Sequence, residues 1–305
     1  MNRFIRRTVL LATAVVLFAS NAWAAPNDLF LWRMCQRDKD NGDPAFGFCL
    51  PDRANPSLML ADNAKFGRFA RQFAAVLAPK FHAPAETLGW SGWNLGLEYT
   101  LNKIPGGEQW DDALQGVERF KTEPEYSTTS KDGSAPTILQ TAQFHARKGL
   151  PFSTELGFII SYLISSEMYL AGVEGKVAFV EGFTYVPDMA LRMTYEHLFG
   201  APDMDMDILN WDLSISKNFG LGGVVQLAPY TGYSLVYSIA APHVVNPSFD
   251  AENNDRLLLL DKQSFAIHRW FIGVRLIGAY VCFTPEVTVT SENVYNFSFN
   301  LGADF

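Results

Sequence analysis

Long apolar runs are scarce in this chain. Past the first two dozen residues, no stretch approaches the roughly 18 consecutive apolar residues of a spanning helix, which excludes a helical membrane protein. A basic surplus is missing too. Lys and Arg number 24 against 32 Asp and Glu, giving a net charge of −8 with no basic stripe. That balance excludes nucleic acid as a partner. Histidine is limited to His82, His145, His197, His243 and His268, none at the spacing of a metal pair such as H-E-x-x-H. No G-x-S-x-G elbow and no P-loop occurs. The sequence therefore assigns no catalytic residue, no metal ligand and no cofactor. Internal repeats and low-complexity tracts are also missing.

What is present is apolar but dispersed. Hydrophobic residues make up 48% and aromatics 14%, yet mean hydropathy is only +0.02. Strands apolar on one face alone give such a mean, and aromatics suit a lipid face with interfacial girdles.

Residues 1–24 read as a cleaved signal peptide. Arg3, Arg6 and Arg7 form a basic head, Thr8 to Ala19 an apolar core, and Ala22-Trp23-Ala24 a small-x-small cleavage site. A retained anchor is the alternative, but the run is short for a span. Export makes the next feature legible. Cys35 and Cys49 pair as a disulfide in an oxidising compartment, two free thiols being the alternative. Closing so short a loop stabilises by about 3 kcal/mol on the chain-entropy model. Asp38, Asp40, Asn41 and Asp43 inside it do not make a calcium loop, because Gly42 is misplaced and no glutamate stands at the last ligand position. Cys282 is left as a lone, inward-facing thiol.

Residues 25–88 do not alternate. Phe66, Phe69, Phe73, Val76 and Leu77 recur at helical spacing, with Asp62 or Asn63 to cap the start and Pro79 past the end. This predicts one amphipathic helix over about 62–78. It would plug a barrel, lie on the membrane surface or pack on periplasmic turns. The segment as a whole is expected to be periplasmic or a plug.

From residue 89 onward the period becomes 2, the mark of half-buried strands. Trp93 to Leu101, Leu156 to Tyr162, Met189 to Tyr195, Leu209 to Ile215 and Trp270 to Leu276 alternate clearly. Residues 136–146, 169–180, 222–239 and 280–289 do so more weakly. The pattern ends on "YNFSFNLGADF", with Tyr295, Phe297, Phe299, Leu301 and Phe305 on one face. This last stretch resembles the C-terminal assembly signal of bacterial outer-membrane β-barrel proteins. The resemblance implies an all-β, antiparallel transmembrane barrel over 89–305, located in the outer membrane. It also implies outer-membrane lipids, periplasmic chaperones and the barrel assembly machinery as partners. A soluble β-protein is the alternative.

The strand count is ten, with eight to twelve open. In that family both barrel ends face the periplasm, so odd connections lie outside and are long. The longest, 103–135 and 240–263, follow the first and seventh strands, and the acidic "FGAPDMDMD" follows the fifth. By alternation Glu98, Glu155, Glu174, Glu196, Asp212 and Glu286 point inward, as do Lys176, Arg192, Arg269 and Arg275. Opposite charges so nearly balanced suit a paired network that fills a small lumen. The expected function is a structural or surface-interaction barrel with a largely closed lumen. A narrow channel or binder for small or hydrophobic solutes is the alternative, and a rim hydrolase using His197 beside Asp203, Asp205 and Asp207 is a second.

Overall fold

A computed structural model describes residues 25–36, 49–55, 57–114, 135–221, 225–245, 257–278 and 280–305. The expected signal peptide and most of the loop between the first two cysteines lie outside these residues. Ten antiparallel strands close into a barrel. They are β1 (Trp93–Lys103), β2 (Ile138–Leu150), β3 (Thr154–Leu163), β4 (Tyr169–Val180) and β5 (Asp188–Phe199). The others are β6 (Met204–Ser216), β7 (Val225–Pro242), β8 (Gln263–Gly278), β9 (Val281–Thr290) and β10 (Tyr295–Asp304). Each strand pairs with its sequence neighbour. The seam closes between β10 and β1, with Tyr295 opposite Lys103 and Asp304 opposite Asn94.

Alternation decides what each face meets. Leu97, Leu156, Val173, Ile272 and Leu301 are exposed on the outer wall. Their intervening neighbours Glu98, Glu155, Glu174, Gly273 and Asn300 face the lumen. Lipid offers no partners for backbone groups, and closing the ladder on itself removes the free strand edges. The seam also has an inner ladder of side chains: Asn300 Nδ2 donates to Glu98 Oε1 at 3.0 Å and Asn94 Nδ2 to Asp304 Oδ1 at 2.6 Å.

The two mouths differ. The connections 151–153, 181–187, 217–224 and 279–280 are short, the third holding a three-residue strand, Phe219–Leu221, paired with Val225 to Leu227. They share a mouth with Phe305, whose backbone exchanges hydrogen bonds with Trp93. Exposed Trp90, Phe152, Tyr185 and Tyr280 ring this end. The connections 104–137 and 243–262 open at the other mouth, with the shorter 164–168, 200–203 and 291–294.

β8 begins at Gln263, the expected end of the connection 240–263. β6 is longer than its sequence suggests, at the mouth of the long connections. It begins at Met204, not near 209, so "FGAPDMDMD" is mostly strand and only 200–203 connect. The reason is a reversal of polarity. Met204, Met206 and Ile208 on β6, and Phe265 and Ile267 on β8, are apolar and face inward, while Asp205 and Asp207 face out. An expectation that apolar means lipid-facing ends the strand too soon.

Helix α1 (Asn63–Leu77) causes that reversal. The Asp62 side chain caps it by accepting from the Lys65 amide. It does not lie on the membrane surface. It sits inside the barrel mouth with Phe66, Phe69 and Phe73 fully buried among Leu139, Leu170, Met206, Val236 and Ile267. Helix α2 (Glu108–Ala113), from the first long connection, closes over it. Trp110 packs edge-on to Phe69, centroids 5.1 Å apart, and its indole N–H donates to Gln72 at 2.6 Å. Buried Lys65 lies 3.0 Å from Asp112.

Candidate functional site

Below α1 the chain continues as an irregular, bent segment, residues 78–88, buried inside the barrel for most of its length. Among the described residues it pairs with no strand, so the wall's side chains bond to its backbone. Arg269 donates to the carbonyls of Ala78 and Pro79, the latter at 2.9 Å. Arg192 donates to Lys80 O at 3.0 Å and to Phe81 O at 3.3 Å. Glu286 accepts from the amides of Phe81 at 3.2 Å and His82 at 2.8 Å. Lys176 donates to Pro84 O and Glu86 O, Ser216 accepts from Ala85 N, and Glu155 accepts from Leu88 N. Pro79 and Pro84 have no amide to satisfy. Lys80 turns back and donates to Ala75, Val76 and Ala78 carbonyls, closing the C-terminal end of α1.

All ten charged residues that alternation turns inward are buried. Asp212 joins two arginines, Arg192 Nη2 at 2.6 Å and Arg269 Nη2 at 3.3 Å. Arg192 also reaches Glu174 at 3.2 Å. Lys176 lies 3.5 Å from Glu155, and Arg275 pairs with Asp304 at 2.7 Å. Glu196 accepts from the Ser161 hydroxyl. Glu286 departs from a simple acid–base pairing: besides the two plug amides it accepts from Tyr230 OH at 2.8 Å. Three groups that sequence reasoning left out complete the network. His82 comes from the plug. His145 bridges Glu98 at 3.1 Å and Glu174 at 2.8 Å, and Arg147 donates to Asn94 at 2.9 Å. The alternation of β2 was the available signal for the last two, since His145 and Arg147 share its inward face with Gln143.

The plug is also packed. Phe81 stacks on Phe271, centroids 4.9 Å apart, lies near Tyr230 at 5.9 Å and faces the Arg192 guanidinium at 4.6 Å. Gly232 and Gly273 give these rings room: a Cβ at Gly232 would collide with Phe271, and one at Gly273 with Tyr230. Cys282 is buried and free, and Ile159 is buried beside the network.

His82 has a left-handed backbone, φ 45°, which aims its ring into the wall. Nε2 shares a hydrogen bond with Ser298 Oγ at 2.8 Å, and Nδ1 lies 2.9 Å from Glu98 Oε2. Serine, histidine and carboxylate in this order have the connectivity of a hydrolytic triad. Here Ser298 has no exposed surface, and Glu98 is shared with His145 and Asn300. The arrangement fastens the plug to β1 and β10. His197 is elsewhere, on the outer face of β5, 2.8 Å from Asp207, with Tyr195 OH on the same carboxylate.

The residues expected as an assembly signal lie along β10. Tyr295, Phe297 and Leu301 are exposed outward, Phe299 tilts against Tyr99 at 5.5 Å, and Phe305 is exposed at the short-turn mouth.

Residues 25–36, 49–55 and 57–62 lie across the opposite mouth. Cys35 and Cys49 are disulfide-bonded with Cα atoms 5.5 Å apart. Asn27 N donates to Ser165 O, Asp28 accepts from Glu167 N, and Phe30 N donates to Ala113 O. Leu58–Met59 pairs in parallel with Leu257–Leu258. Leu31 N donates to Asp203 Oδ2 at 2.9 Å. Burial pushes the Asp203 carboxyl above the usual carboxylate range, against that hydrogen bond and nearby His243. At the other mouth, Glu181 accepts from Thr87. Burial raises its carboxyl, but hydrogen bonds from Ser153 and Thr87 outweigh this and hold it below the usual range.

No protein-family model matches the chain, and no curated protein does. Several solved barrels are similar. The KdgM porin in complex with disordered oligogalacturonate is 7% identical, with a TM-score of 0.33 over 70% of this chain and 99% of that one. Ail, the attachment invasion locus protein of Yersinia pestis, is 9% identical, with a TM-score of 0.27 over 71% and 99%. Omp33 of Acinetobacter baumannii is 10% identical, with a TM-score of 0.27 over 72% and 99%. At such values the likeness carries no function or ligand across. A closed wall of ten antiparallel strands with an exposed apolar outer face makes this chain a β-barrel of the outer-membrane kind.

Proposed function

We propose that the protein is a non-conducting outer-membrane barrel of structural or surface-interaction type, sealed along its axis by its own residues 63–88. The observation that carries this reading is the bonding of the plug backbone. Six wall side chains (Arg192, Arg269, Lys176, Glu286, Ser216 and Glu155) hold an irregular segment through its amides and carbonyls. A channel would leave such groups facing water. Its partners are outer-membrane lipids around the belt, with periplasmic chaperones and the assembly machinery before insertion, where Tyr295, Phe297, Phe299, Leu301 and Phe305 serve as the handle. No reaction is assigned to it.

Planar-bilayer recording tests the reading. The unmodified protein should show no steady current, and Arg192→Ala should add brief, irregular leaks. Steady porin-sized currents from the unmodified protein would overturn it and favour the solute channel.

A further inference from the structure

The plug fixes where the N-terminal segment lies, and the connections fix which way that mouth faces. Residues 25–36, 49–55 and 57–62 and the first residue of the wall, Trp93, are at opposite ends of the lumen. Residues 27–31 bind the connections 164–168, 200–203 and 104–137, and residues 58–59 bind 257–258. Thr87 and Leu88 bind Glu181 and Glu155 at the other end. In barrels of this kind the short turns face the periplasm and the long connections face outside. The two longest connections, 104–137 and 243–262, belong to the mouth that the N-terminal segment covers.

We infer that the barrel presents its own N-terminal segment on the cell surface, threaded outward through the lumen. Residues 25–36, 49–55 and 57–62, joined by the Cys35–Cys49 bond, are the displayed part. Residues 78–88 are the thread, and α1 is the stopper that keeps the thread from sliding back. The wall supports a fixed thread better than a transient one. Six of its carbonyls and five of its amides bond to wall side chains or to Lys80 and Glu181, and the left-handed turn at His82 locks the ring between Glu98 and Ser298. The exposed surface around the outer mouth is therefore built jointly from the N-terminal segment and the long connections, and a surface partner would meet both.

This inference rests on the sealed-barrel reading but fails separately from it, because conductance does not depend on which mouth faces out. The native cysteines leave a clean background: two are bonded and Cys282 is buried. Three exposed positions carry single probes, namely Ser57→Cys in the N-terminal segment, Val244→Cys in a long connection and Tyr185→Cys in a short turn. Intact cells are treated with a polymer-linked maleimide too large for porins. Heat-modifiable gel mobility confirms that each variant is folded. Ser57→Cys and Val244→Cys should label on intact cells, and Tyr185→Cys only after the outer membrane is permeabilised. Protection of Ser57→Cys while Val244→Cys labels would mean that the segment is not threaded. Labelling of Tyr185→Cys alone would mean that the barrel stands the other way up. Either result overturns the inference and leaves the conductance result untouched.

Discussion

The two halves of the lumen are filled by different physics. Toward the long connections the inner wall is apolar, and it holds a helix by side-chain packing: Phe66, Phe69 and Phe73 against Leu139, Met206, Val236 and Ile267. Toward the short turns it is polar, and it holds an irregular segment by its backbone through Arg192, Arg269, Lys176 and Glu286. The difference follows from what each plug conformation needs. A helix satisfies its own backbone and offers an apolar stripe. A segment with neither helix nor ladder leaves its amides and carbonyls to the wall. Conformation of the plug and polarity of the wall therefore change at the same level, between Leu77 and Pro79.

The largest effect should come from the lower half. Asp212 serves Arg192, Arg269 and Asn210 together. Removing one member of a buried charge network strands the others, at about 3–5 kcal/mol. Asp212→Ala should lower unfolding stability in lipid vesicles by that amount and loosen the thread as well as the wall. A change within about 0.5 kcal/mol, typical of surface sites, would show that the arginines are held by the plug carbonyls alone.

In the upper half, Phe69→Ala removes a ring packed on Phe73 and Trp110. Truncating a buried phenylalanine costs about 3 kcal/mol or more. The cost should fall on α1. Limited proteolysis should cut near the helix while the barrel keeps its heat-modifiable mobility. If the barrel and the helix are lost together, the two halves are one cooperative unit.

Much of the wall was legible in the sequence, and the contents of the lumen were not. Alternation turned Glu98, Arg192, Asp212 and Arg269 inward, because a period of 2 fixes faces without any knowledge of partners. It gave no sign that the space between them holds chain. The stretch "APKFHAPA" has no period, and its three polar ties (Lys80, His82 and the backbone itself) read as an ordinary loop. The same blindness shortened β6, whose upper end faces α1 instead of water. It also bears on tolerance. An inward serine such as Ser214 looks like a position open to substitution, yet it is buried beside the plug's Ala85 contact at Ser216. Leu213→Arg, on the lipid face, should cost about 2–4 kcal/mol near the bilayer midplane. Ser214→Arg should be comparably damaging, because the lumen has no room for the new side chain. Vesicle folding yields compare the two, and free tolerance of Ser214→Arg would mean that the thread yields easily.

The smallest effect should be at the junction of the two halves. Lys80 is buried, and its ammonium donates to three carbonyls at the end of α1, the nearest being Ala78 O at 2.7 Å. A cation at a helix C-terminus stabilises by about 0.3–2 kcal/mol. Lys80→Met keeps the length and apolar stem, removes the charge and leaves Lys80's own backbone carbonyl available to Arg192. It also removes the cost of burying an ammonium, which offsets part of the loss. The expected result is a stability drop of about 1 kcal/mol, with the last turn of α1 exchanging amide hydrogens faster and conductance still absent. Lys80→Glu should be far worse, since a carboxylate would face the same carbonyl oxygens. If Lys80→Met instead costs as much as Asp212→Ala, Lys80 belongs to the ionic network of the lower half, and the boundary between the two halves moves up into the helix.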